Sequence, residues 1–389
     1  MAILRRHFPG RSASVLACAF VLSACVSSQN HGPFTYDPAL IDGTTLFGRD
    51  VPAAEPISLL DLSPEMEDFL APRITSPALG YTRFRRLLRE LIDGGHFANM
   101  YVASGTYTAA ETFHKGSGNC LGYTNMFIAL ARGAGLKARF QLVDTHPIWD
   151  VTQGYLIRNN HINVVIEDVA LPGMRDSHIT IDFNLVQPDP DDSEYQLVSD
   201  DFAAALYYAN IAVDHLREND LERSFAYMKR AILTDAQNPI AWNNLAILYS
   251  RYGHPEVAEA VYRTALRIKR NDKSALSGLV VALEAQGRME EALEVSRRVR
   301  YYQLRNPYYH YALAEQAFRN EDYALAMVSI EEAIDLRGKD ARFFALRAET
   351  ASILGDADLA ARSARLAAKY ADRGSDRQTR DQGISPQYY

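Results

Sequence analysis

The second half of this chain repeats itself every 34 residues. Ala258, Ala292, Ala326 and Ala360 are spaced by 34, and so are Ala231, Ala265, Val299, Ala333 and Ala367. Asn219, Gly253, Gly287 and Gly355 hold one further position of the same register. A period in this range rules out an ordinary single core: each unit is a small supersecondary element that cannot bury its apolar face alone and must stack on its neighbours. From about residue 199 to 370 the pattern reads as helix throughout.

Trp242, Leu245, Ala246 and Tyr249, followed by Ala258, Tyr262 and Ala265, resemble the tetratricopeptide signature almost position for position. The resemblance runs from about 203 to 371, in roughly five repeats of which the first and last are weaker. It implies helix pairs whose small residues lie at close crossings, with glycine or asparagine at the tight turn between them. It also implies a superhelix with a concave docking groove for peptides or protein segments. On the family's register Asn243, Asn244, Tyr308 and Tyr311 face that groove, whereas Trp242 and Tyr249 belong to the core. In the plainer alternative, the array only packs against or caps the other domain.

Three cysteines bound the chemistry of the first half. Cys18 falls in an apolar run, Ser14 to Ala24, behind Arg5, Arg6 and Arg11. That run is too short to span a bilayer as a helix and reads as a secretory signal. Leu22-Ser23-Ala24-Cys25 resembles the bacterial lipoprotein cleavage box, which implies lipidation of Cys25 as the first mature residue. Several acyl chains there suffice for stable anchoring. Val26 is not the aspartate associated with inner-membrane retention, so the expected location is the periplasmic face of the outer membrane. Loss of residues 1–24, with three arginines and no acids, would take the formal charge from -7 to -10. Such a chain is poorly suited to bind nucleic acid. Cys120 is then left as a free thiol in an oxidising compartment.

The expected layout is a signal peptide at 1–24, a flexible tether at 25–56 rich in Ser, Pro, Gly and Asp, an α+β domain at 57–198, the repeats at 199–371 and a disordered polar tail at 372–389. In the α+β domain, Ser63 caps a helix that has Pro64 in its first turn, and Tyr81 to Ile92 is amphipathic. Cys120 to Arg132 reads as a helix stopped by Gly133 and Gly135. Strands follow at Lys137–Val143, His161–Glu167 and His178–Phe183, the last two separated by a turn at Pro172-Gly173. Pro188 to Asp192 forms a stiff acidic boundary.

Cys120 opens its helix, where the N-terminal dipole favours negative charge, and cysteine attacks carbonyls as a thiolate. Gly116 and Gly118 allow a tight turn and an approach to main-chain N–H groups that would hold an oxyanion. Asn119-Cys120 through Ala129–Phe140 resembles the transglutaminase-like core. That family places a histidine at the start of the next strand and an aspartate on the strand after it. The matching positions are His161 in His161-Ile162-Asn163-Val164 and Asp182 in Ile181-Asp182-Phe183-Asn184, lying 41 and then 21 residues on. The resemblance implies histidine as general base and acid, and aspartate as its orienter. Ile162-Asn163 and Phe183-Asn184 depart from the aromatic residue and the Pro-Thr found in many relatives. His114, His146 and His178 are the competing histidines, and His114 or Trp149 can line a cleft. No metal-ligand spacing or phosphate loop is present, and no cofactor is implied.

The expected fold is an α+β papain/transglutaminase-like domain followed by an all-α tetratricopeptide solenoid. The expected function is a membrane-tethered thiol enzyme that hydrolyses amide bonds of a protein or peptide through an acyl-thioester, with the array binding a protein partner. The alternative is a non-catalytic scaffold or assembly lipoprotein with a silent transglutaminase-like binding module.

Overall fold

The computed structural model describes residues 34–70, 80–97, 102, 105–144, 148–149, 156–157, 160–167, 169, 178–183 and 194–381. The expected signal peptide, Cys25, His146, the Pro172-Gly173 turn, the acidic boundary and residues 382–389 lie outside them. No helix among the described residues is long and apolar enough to cross a membrane.

The described part of the expected tether is packed, which corrects that expectation. A 3₁₀ turn, Pro38–Ile41, and a short helix α1, Thr44–Phe47, begin a strap along the repeat helices. Tyr36 meets Trp242 edge-on, with ring centroids 4.9 Å apart, and Phe47 meets Phe225 at 5.6 Å. Tyr249 donates to the Leu40 carbonyl at 3.0 Å, the Lys229 ammonium donates to the Val51 carbonyl at 2.7 Å, and Arg230 donates to the Ala54 carbonyl at 2.5 Å. The Ile57 amide donates to the Tyr208 hydroxyl at 2.7 Å. Isolated anchors such as Ile41, Val51 and Leu59 are buried. They have no period of their own because they fit a surface built by other residues.

Helices α2 (Pro64–Leu70), α3 (Gly80–Asp93) and α4 (Ala109–Lys115) precede α5 (Cys120–Gly133). The Ser63 hydroxyl accepts from the Met66 amide at the start of α2. Helix α5 is buried on nearly all sides, from Leu121 to Ala131. It ends as expected: Gly135 adopts φ +73°, and Arg83 donates to the carbonyls of Ala134 and Gly135 at 2.9 and 3.1 Å.

Among the described residues six strands follow: β1 (Lys137–Asp144), β2 (Ile148–Trp149), β3 (Leu156–Ile157), β4 (Asn160–Glu167), β5 (Ile179–Ile181) and β6 (Glu194–Val198). β5, β4, β1 and β6 form one antiparallel sheet in that order, while β2 and β3 form a separate two-stranded ribbon. The register pairs Val143 with His161 and Tyr195 with Val143. Phe140, Leu142, Ile162, Val164 and Ile166 share one face of the sheet, all buried, and β1 and β4 pack on α5.

The repeat helices are α6 (Asp200–Arg217), α7 (Leu221–Thr234), α8 (Pro239–Arg251), α9 (Pro255–Ile268), α10 (Lys273–Ala285), α11 (Met289–Gln303), α12 (Pro307–Arg319) and α13 (Tyr323–Leu336). They pack as consecutive antiparallel pairs. The first helices of successive pairs are capped by Asn238, Asp272 and Asn306, again 34 residues apart, each side chain accepting from a first-turn amide. Trp242 is fully buried and donates to the Ala236 carbonyl at 2.8 Å. Gly278 on α10 faces Tyr262 on α9, and a Cβ there would stand 2.2 Å from the ring's Cζ. The Arg132 guanidinium at the end of α5 grips the Asp200 carboxylate at the start of α6, with contacts of 2.6 and 2.9 Å.

α14 (Ala341–Ile353) and α15 (Ala357–Asp381) form a second compact unit, with Phe344 and Tyr370 rings 5.4 Å apart. α15 runs ten residues beyond the expected end of the repeats, so part of the tail is helical rather than disordered.

Candidate active site

Cys120 is the first residue of α5 and is partly exposed. Asn119 fixes that helix end. Its side-chain carbonyl accepts from the Gly122 amide at 3.0 Å, and its side-chain amide donates to the Thr106 hydroxyl at 2.6 Å. Gly122 admits the nearby Thr112 hydroxyl, which a Cβ would meet at 3.0 Å. Gly116 takes φ +61° and ends α4, as a tight turn requires. Gly118 differs from the expectation of an open backbone. It is buried, its carbonyl accepts from the Val102 amide at 3.1 Å, and the Asn119 amide donates to the Gly105 carbonyl at 2.9 Å. The glycine turn is therefore covered by the chain's own backbone at 102 and 105, because two segments with unpaired amides satisfy each other there.

His161 is the second residue of β4 and is 5% exposed. The Thr124 hydroxyl of α5 donates to the Ile162 carbonyl at 3.2 Å, which ties the helix to the strand one residue from the imidazole. Asp182 lies one residue past β5 rather than on it. The Nε2 of His161 and the Oδ1 of Asp182 are 2.5 Å apart. The other side of the ring is hydrogen-bonded to the Cys120 side chain. Since Nε2 is taken by the carboxylate, Nδ1 is the nitrogen left for the sulfur.

The electrostatics of the ring set opposing effects against each other. Burial disfavours the imidazolium, but the hydrogen bonds to Asp182 and Cys120 and their negative charge outweigh it and lift the His161 pKa to about 9. A ring in this state keeps its proton at neutral pH.

One residue of the site was not singled out by the sequence. Phe183, directly after Asp182, stacks on Phe97 at 5.5 Å and on Tyr123 at 5.9 Å, and lies 5.8 Å from Phe127. Tyr123 and Phe127 belong to α5, so Phe183 pins the aspartate's segment to the cysteine's helix. Its signal was present in the departure from the relatives' Pro-Thr, which puts an aromatic beside the acid. Asn163, the other departure, is buried and shares the sheet face of His161.

The competing histidines do not join this group: His114 and His178 are exposed. Trp149 lies on β2, which contacts α12. Of the residues expected at the groove, Asn243 is buried, with no partner for its side-chain oxygen among the described residues, while Asn244, Tyr308 and Tyr311 are half-buried. A cavity of about 460 Å³ opens between the sheet and the repeats, lined by Leu142, Leu197, Val198, Phe202 and Ile240 among others; none of Cys120, His161 and Asp182 lines it. Among the described residues no cluster of His, Cys, Asp or Glu can hold a metal.

A transglutaminase-like superfamily model matches residues 69–167, and a tetratricopeptide repeat model matches residues 240–272. The first span contains Cys120 and His161 and stops before Asp182. No curated protein matches the chain. Similar solved structures include MamA 41-end from Desulfovibrio magneticus RS-1, at 18% identity and TM-score 0.26, covering 45% of this chain and 97% of that one. PilF of Pseudomonas aeruginosa is similar at 19% identity and TM-score 0.27, covering 44% and 78%. Cut9 with Hcn1, from an APC/C hetero-tetramer, is similar at 19% identity and TM-score 0.27, covering 43% and 34%. The chain thus carries a transglutaminase-like core followed by tetratricopeptide repeats. Such repeats form protein-binding arrays.

Proposed function

We propose that this chain is a thiol enzyme that hydrolyses amide bonds of a protein or peptide, tethered to the outer membrane's periplasmic face through lipid on Cys25, with its repeats holding a protein partner. The observation that carries the catalytic reading is the placement of one buried imidazole between the Cys120 thiol and the Asp182 carboxylate.

In this reading His161 already holds the thiol's proton as an imidazolium beside a Cys120 thiolate, while Asp182 accepts from Nε2–H and stabilises that cation. The sulfur attacks the amide carbonyl carbon, and the carbonyl oxygen becomes an oxyanion near the first-turn amides of α5. His161 passes its proton to the leaving nitrogen as the C–N bond breaks, which leaves a thioester on Cys120. Water then attacks the thioester carbonyl and gives a proton to His161. Collapse releases the carboxylic acid and the Cys120 thiolate, with the proton from water held on His161. Water is the default acceptor in a cleft open to solvent, so hydrolysis is preferred to cross-linking.

The test uses a thiol-directed electrophile at pH 7. Cys120 should be labelled at least tenfold faster in the unaltered protein than in His161→Ala. Equal rates would end the reading. Labelling with radiolabelled palmitate in cells, lost in Cys25→Ala, tests the tether.

A further inference from the structure

Helices α9 and α11, the second members of two successive repeat pairs, carry their charges unevenly. Towards their starts the charges cancel: Glu259 accepts from Arg263 at 2.8 Å and from Arg288, and Arg288 also donates to Glu291. Past Glu259 on α9 and past Glu294 on α11 there is no further acid, and Asp272, the next after α9, is buried as the cap of α10. Arg270, Arg297, Arg298, Arg300 and Arg305 gather at these helix ends, all of them exposed. None of the five pairs with a carboxylate among the described residues. Arg298 donates to the Arg270 carbonyl at 2.8 Å, which ties the two ends into one surface. Within it Tyr301 and Leu304 are each 54% exposed, and the Arg305 guanidinium lies over the Tyr301 ring at 4.6 Å. One repeat further on, α13 has Glu331, Glu332 and Asp335 in the register of Arg297, Arg298 and Tyr301, so the basic stretch stops at α11. The residues expected at the groove lie instead on the first helices α8 and α12.

The strap joins the repeats at the same end. Tyr36 packs on Trp242 in the first turn of α8, and antiparallel pairing sets that turn beside the end of α9. The 3₁₀ turn Pro38–Ile41 touches α9 itself. Tyr36 is eleven residues past Cys25, a length that spans at most about 40 Å. Lipid on Cys25 therefore keeps a bilayer close to this end of α8 and α9.

We infer that the α9–α11 face docks on the surface of an anionic phospholipid bilayer. Guanidiniums without carboxylate partners take up lipid phosphates in two-pronged hydrogen bonds, while Tyr301 sits at headgroup level and Leu304 reaches the acyl boundary. The chain's formal charge of -7 does not oppose this, because salt limits the reach of distant carboxylates to about 8 Å and the bilayer meets the local charge. The contact is one-sided, since the rest of the chain is more acidic still. The argument from the strap rests on the reading of Cys25 as lipidated; the argument from charge does not.

The experiment is vesicle flotation of the full chain carrying Cys25→Ala, so that no acyl chain contributes; every further variant is made in that background. Vesicles of phosphatidylcholine with phosphatidylglycerol should bind it at least tenfold more strongly than phosphatidylcholine alone. Arg297→Glu/Arg300→Glu should cut that binding at least tenfold, as the loss of basic contacts to a charged surface requires. Arg217→Glu/Arg223→Glu makes the same change of net charge on α6 and α7 and should leave binding within twofold. All four arginines are exposed, so the fold does not rest on them. Equal binding to neutral vesicles, or equal losses in the two double variants, would overturn the docking face. Tyr301→Ser/Leu304→Ser should bind about fivefold less; no loss would mark the contact as purely ionic and overturn the bilayer as its occupant. Retention on immobilised polyglutamate that Arg297→Glu/Arg300→Glu abolishes, without flotation, would assign the face to an acidic protein and overturn it likewise. Absence of palmitate labelling at Cys25, with the flotation differences intact, would remove the anchor and leave this face standing.

Discussion

His161 and Asp182 meet through Nε2 and Oδ1 at 2.5 Å, although 21 residues separate them. Both side chains are nearly enclosed, at 6% and 11% exposure. The carboxylate therefore fixes which ring nitrogen carries hydrogen and which faces sulfur. Asp182→Asn keeps the shape but can offer an amide hydrogen where an acceptor is needed, so the ring loses its orientation and its cation loses a counter-charge. Labelling of Cys120 at pH 7 should drop by ten- to a hundredfold, with circular dichroism unchanged. A rate within twofold of the unaltered protein would remove Asp182 from the site.

The same pair predicts a pH dependence of stability. The imidazole pKa rises from 6.5 in the unfolded chain to about 9 in the fold, so the folded state binds the proton more tightly. The stabilisation is complete below pH 6.5 and is lost as pH climbs through 9. The unaltered protein should exceed Asp182→Asn in urea midpoint at pH 6, and the gap should close by pH 10. A gap that widens with pH would contradict the assignment of the shared proton.

Much of this arrangement is legible in the sequence because it depends on local rules. Cys120 at a helix start follows from the Asn119 cap and the apolar run behind it, and His161 from a strand that alternates around it. The 34-residue register fixes the turns, and the repeats' caps follow the same spacing. What the sequence conceals is long-range fit. Residues 34–59 lack periodicity because their apolar anchors answer to α6, α7 and α8. The strand β6 escapes notice because only five residues pair with β1. Phe183 looks like an ordinary apolar residue until Phe97, Tyr123 and Phe127 close around it.

Gly278 tests how far the repeat packing depends on one missing side chain. A Cβ would fall 2.2 Å from the Tyr262 ring, and Tyr262 is itself 1% exposed, so neither residue can yield without opening the α9–α10 crossing. Gly278→Ala would gain helix propensity of about 1 kcal/mol and lose more to overpacking, which typically costs about 1–3 kcal/mol. The thermal midpoint should fall. A rise would show that the crossing relaxes freely.

The turn within each helix pair offers the opposite change. Asn219, Gly253, Gly287, Glu321 and Gly355 recur every 34 residues, and all five adopt positive φ, from 61° to 84°. Four are residues that tolerate the left-handed region, whereas Glu321, at φ 63°, carries a Cβ that crowds the following carbonyl. Replacing it with glycine relieves roughly 1–2 kcal/mol of strain and adds some backbone entropy to the unfolded chain, for a net gain of about 0.5–1 kcal/mol. Glu321→Gly should therefore stabilise the protein, while Gly287→Glu, the reverse change one repeat earlier, should destabilise it by a similar amount. Urea titration of both variants decides the matter, since a turn that stores no strain would leave Glu321→Gly weaker than the unaltered chain.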